Sequence, residues 1–75
     1  MNKQRRQRIA KALDLLAQAH ELVDTVLSEE SEAYENMPEG LQQSERGAQM
    51  EAAVDALNEA SNSLDEAVAQ LEGIE

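Results

Sequence analysis

The chain of 75 residues has no cysteine, tryptophan or phenylalanine, and its only aromatic side chain is Tyr34. Without cysteine, neither a disulfide framework nor a thiolate metal site can staple so short a domain. Without large aromatics, any core must be built from Leu, Val, Ile, Met and Ala. There is a single proline and only three scattered glycines, so no glycine-rich phosphate loop can form. No apolar run approaches the length needed to cross a membrane. The opening "MNKQRRQRIAK" is basic, but no continuous apolar stretch follows it, so it does not read as a secretory signal. The expected location is the cytoplasm, with no membrane partner.

Positive charge is also scarce. Six Lys and Arg stand against sixteen Asp and Glu, for a net charge of −10. Five of the six bases lie in the first eleven residues, so Arg46 alone faces all sixteen acids beyond them. Such a body repels nucleic acid and attracts basic partners.

What remains is rich in Ala, Leu, Glu and Gln, all strong helix formers. From Ile9 onward, apolar residues recur at intervals of seven. Ile9, Leu16 and Val23 make one row; Leu13, His20, Leu27 and Tyr34 a second; Ala12, Ala19, Val26 and Ala33 a third. The later segment repeats the design with Met50, Leu57, Leu64 and Leu71, then Val54, Ser61 and Val68, then Ala53, Ala60, Ala67 and Ile74. Rows offset by three and four make a continuous stripe on one helix face.

Between the two stripes stands "NMPEGLQQSERG". Pro38 disfavours helix at Met37, Gly40 permits a positive φ, and Ser44 is suited to cap a following helix with Glu45 in its first turn. These signals predict a helix over 3–36, a turn over 37–44 and a helix over 45–73. So short a connection makes the helices antiparallel neighbours. The expected fold is all-α: an antiparallel, coiled-coil-like two-helix hairpin occupying the whole chain as one domain. A turn centred near Gly40 pairs Leu13 with Val68, Leu27 with Val54, His20 with Ser61 and Tyr34 with Gly47. In this register Gly47 leaves room for the Tyr34 ring, and Arg5, Arg6 and Arg8 approach Glu72 and Glu75. Tyr34, Met37, Pro38 and Leu41 are expected to plug the turn end of the rod.

Leu15 and Leu22 lie beside the main stripe of the first helix. With Ala12, Ala19 and Val26 they widen its apolar face beyond what one alanine-rich partner can cover. Leaving each leucine in water forgoes about 1.5–3 kcal/mol relative to full burial. A homodimer forming a four-helix bundle would cover them; so would docking on another protein.

Residues that could carry chemistry are few. His20 is the only histidine, and no second histidine or His-Glu-x-x-His pattern completes a metal site. It is better read as one half of a polar layer with Ser61, with Asn58 and Asn62 as alternative partners. Glu29, Glu30, Glu32 and Glu35 cluster at the end of the first helix, against the sense of its dipole. That points to a surface for a basic partner, together with Asp55, Glu59 and Glu66. The serines have no evident base. No catalytic residue, cofactor or bound metal is expected.

The segment "NMPEGLQQSERG" with the following "MEAAVDALNEASNSLDEAVAQL" resembles small acidic helical-hairpin proteins of bacteriophages and integrated mobile elements. These run from a basic helix through an Asn-(Met/Leu)-Pro-Glu turn and a Ser-Glu-(Arg/Lys)-Gly helix start to an acidic Ala/Leu-rich helix. The resemblance covers most of the chain and is most specific over Asn36 to Gly47. It implies the hairpin fold and a mobile-element origin, and it transfers no activity. The functional expectation is a non-enzymatic accessory protein that binds or inhibits a host protein, including one with a basic nucleic-acid-binding surface. A structural or chaperone-like module acting through Leu15 and Leu22 is one alternative; a small-ligand sponge at an oligomer interface is another.

Overall fold

The computed structural model describes residues 1–75. Helix α1 runs Lys3–Glu35, a single helical turn α2 runs Glu39–Gln42, and α3 runs Glu45–Glu72. Helices α1 and α3 pack along their lengths into a hairpin rod of 58 × 15 × 14 Å.

The start of each long helix is fixed by a short polar side chain. The Asn2 side chain accepts from the Arg5 amide at 2.8 Å and caps α1. Ser44 caps α3, as its position predicts, accepting from the Gly47 amide at 3.3 Å while its own hydroxyl donates to the Leu41 carbonyl. Each cap satisfies an amide that the first helical turn leaves unpaired. Pro38 stands just ahead of α2, where its missing N–H costs nothing.

The turn departs from expectation in two ways. Gly40 lies inside α2 and no glycine has a positive φ, because the chain crosses between the rods by adding one helical turn. At Gly47 the closest approach is made by backbone. A Cβ at Gly47 would stand 2.1 Å from the Gln42 carbonyl oxygen and 2.6 Å from that of Leu41. The glycine lets the backbone of α2 lie directly against the first turn of α3, and Gly47 is the only buried residue in the chain.

The predicted register holds where polar contacts mark it. His20 meets Ser61 at 3.4 Å, and Arg6 donates to the main-chain oxygen of Glu75. The expected clustering of Arg5, Arg6 and Arg8 with the Glu72 and Glu75 carboxylates forms no ion pair; the close contacts between carboxylates and a basic side chain are those of His20. The seam residues Leu13, Leu16, Val23, Leu27, Val54, Leu57, Leu64, Val68 and Leu71 are all only half-buried.

Two helices therefore make a seam but not a core. The surface is 5702 Å², whereas a compact chain of this mass exposes about 4,600 Å². The Cα radius of gyration is 17.1 Å, against about 11 Å for a globular chain of equal length.

Candidate binding surface

The seven-residue spacing divides the rod into two flanks. On one flank the rows beside the seam are mostly polar: Asp24 and Ser31 follow Ala10 and Ala17 on α1, and Glu51, Asn58, Asp65 and Glu72 line α3. On the other they are almost wholly small or apolar, with the Ala12 row of α1 facing the Ala53 row of α3.

The polar layer sits at the edge of the first flank. His20 Nδ1 lies 2.9 Å from Asp24 Oδ2, one turn along α1, and His20 Nε2 lies 2.8 Å from Asp65 Oδ1 on α3. Ser61 donates to Asp24 Oδ1 at 2.8 Å. The pairing of His20 with Ser61 is present, but the two aspartates bind the ring more closely, and neither Asn58 nor Asn62 takes part. Asp65 was hidden because its partner is one turn away on the opposite helix. The signal was available: a residue four beyond Ser61 returns to the same edge of α3.

A serine, a histidine and two aspartates thus stand together. The Ser61 hydroxyl donates a hydrogen bond to Asp24, and the carboxylate of Asp65 shares the Nε2 side of the ring with Ser61. The imidazole is about a quarter exposed and Asp65 about two-thirds exposed. Pairs this wet contribute about 0–1 kcal/mol each. They join the helices at one level and so help fix their register.

At the turn, Gln42 supplies the closure. Its side-chain amide donates to the carbonyl of Tyr34 at 2.9 Å, which also accepts from the Met37 amide at 3.1 Å, and to the carbonyl of Met37 at 3.3 Å. Leu41, expected to plug this end, is 52 % exposed instead. It borders a shallow groove with Met37, Pro38, Arg46 and Met50. The Tyr34 hydroxyl donates to Glu51 at 3.4 Å. Partial loss of hydration, and then the Glu51 carboxylate, push its pKa above the usual tyrosine value.

On the small-residue flank, the expected strip lies open. Leu15 is 54 %, Leu22 67 % and Val26 48 % exposed, with Ala12 and Ala19 half-buried between them and the seam. At the level of the leucines, helix α3 offers only Ala60 and Ala67 from its row on that side, too short to reach over them.

Charge divides the rod along its length. Between Glu21 and Ser61, the half containing the turn, eleven acids face Arg46 alone, a net of −10. The other half carries five acids and five bases and is neutral. Glu29, Glu32, Glu35, Asp55 and Glu59 lie exposed on the acidic half, with Glu30 half-buried among them. Glu66 is exposed but stands in the neutral half, apart from the group.

Comparison with protein-family models, curated proteins and solved structures finds no match to this chain. No helix is long and apolar enough to cross a membrane.

Proposed function

We propose that this chain is a non-catalytic binding protein, a hairpin that dimerises into a four-helix bundle and presents its acidic half to a basic protein. The observation that carries this reading is the segregation of charge. The whole net charge of −10 falls on the half of the rod that contains the turn. Folding alone gives no reason to gather those acids, since they repel one another and crowd the C-terminal end of α1.

A mobile-element origin, implied by the likeness in sequence, suits an accessory protein of the host-cell cytoplasm. In that setting the acidic half would occupy a basic surface of a host protein, including one that otherwise holds nucleic acid. Glu29, Glu32, Glu35, Asp55 and Glu59 are the residues assigned to that contact.

The test is capture of host protein on the immobilised chain. Wild type should retain a partner at low salt and release it as ionic strength rises and the Debye length shrinks from about 10 Å to about 3 Å. A variant carrying Glu32→Gln, Glu35→Gln, Asp55→Asn and Glu59→Gln should retain much less. Binding indifferent to salt and to these substitutions overturns the reading. It would favour the assembly or chaperone-like module, for which the exposed Leu15 and Leu22 are the supporting observation.

A further inference from the structure

The open strip of α1 is nearly the same read in either direction. Its outer row is Arg8, Leu15, Leu22 and Glu29, spaced at intervals of seven. Its inner row is Arg5, Ala12, Ala19, Val26 and Ala33, in which only the outermost pair, Arg5 and Ala33, differs in character. A second copy of α1 laid antiparallel, about a two-fold axis beside Ala19, sets Leu15 against Leu22 and Ala12 against Val26. The same superposition sets Arg8 against Glu29 at both ends. We infer that α1 pairs with α1 of a second copy of this chain in that antiparallel register, closed at each end by Arg8 and Glu29 of the partner subunit.

Four observations select this occupant and this direction. Arg8 and Glu29 are exposed and form no ion pair within the chain, so both are free to complete one across the axis. Helix α1 also carries its charges against its own dipole, with bases at its start, acids at its end, no acid in the first turn and no base in the last. An antiparallel neighbour places each copy's bases beside the other's acids and reverses that penalty. On the larger scale, the acidic half of each rod comes to lie beside the neutral half of the other. A parallel pair would instead press two halves of charge −10 together.

The fourth observation is that both helices obey the same axis. His20 opposite Ser61 places Ala19 level with Asn62. On the same flank of α3, the row Ala53, Ala60, Ala67 and Ile74 reverses about a point between Ala60 and Ala67, close to that level. Alanines there let two α3 helices approach to about 8 Å. The chain exposes about 1,100 Å² more than a compact one of its mass. A standard interface takes about 800 Å² from each partner, so the face is large enough.

This inference rests on the self-association proposed above, and the full chain tests the two separately. Because the chain has no cysteine, spin labels can be placed singly at Gln7→Cys and at Gln18→Cys, both exposed and off the strip. The antiparallel register separates the Gln7 labels by roughly 35 Å along the rod, and leaves the Gln18 labels separated by little more than the width of the helix pair. In the second arm, Arg8→Glu and Glu29→Arg should each weaken dimerisation about tenfold. The combined variant should restore it to within about threefold of wild type. A chain that stays monomeric overturns self-association and this inference together. A dimer with two short label distances, or one that the charge swap does not rescue, overturns only the antiparallel register.

Discussion

Replacing Leu22 by alanine separates an interface from an idle surface. Leu22 is the most exposed large apolar side chain, at 67 %. Full burial of a leucine gives about 1.5–3 kcal/mol, so covering the remaining two-thirds gives about 1–2 kcal/mol. Two copies contribute to each dimer, for about 2–4 kcal/mol, or a dissociation constant raised about 30- to 1,000-fold. In a lone hairpin the same change removes a side chain that already sits in water and installs the best helix former, so stability should hold or rise slightly. Sedimentation equilibrium across a concentration series measures the first effect, and thermal melting at high dilution the second. If Leu22→Ala leaves the dissociation constant unchanged, the strip is not where the chains meet.

Other outcomes follow from the turn, the polar layer and Tyr34. Gly47→Ala drives a methyl into the Gln42 carbonyl and should lower stability by at least about 1–3 kcal/mol, read from the urea midpoint. Gly40→Ala meets nothing within 4 Å in a helical turn and should be neutral or stabilising by up to about 1 kcal/mol. Replacing His20 and Ser61 together by leucine puts apolar contact where a wet polar layer stood; calorimetry should show a melting temperature higher by about 5 °C or more. Tyr34 should ionise above the usual value of about 10, with Glu51→Gln lowering the midpoint of its ultraviolet titration. Since its folded pKa is raised, whatever stability the neutral phenol contributes is intact below pH of about 10. It is lost as pH rises through the folded value.

The two long helices, their antiparallel pairing and the cap at Ser44 were legible because each leaves a local trace: a seven-residue period, a short proline-containing connection, and a serine ahead of an acid. The width of the α1 face was legible for the same reason, and Leu15, Leu22 and Val26 lie exposed where the period places them. The interior of the turn was not. Glycine is ambiguous between a left-handed bend and a close approach, and only the path of α2 shows that Gly47 serves the second while Gly40 serves neither. Gln42 leaves no periodic signal, because it works by reaching back to carbonyls of the preceding helix. Asp65 leaves no trace in the apolar period because its link to His20 depends on the edge where the helices meet rather than on the seam.

Sedimentation equilibrium combined with small-angle scattering in dilute buffer tests the central claim, that the open face of α1 requires a second chain. A mass twice 8.3 kDa, with a longest dimension still close to 58 Å, is the predicted result. A mass of 8.3 kDa that persists at high protein concentration would contradict it.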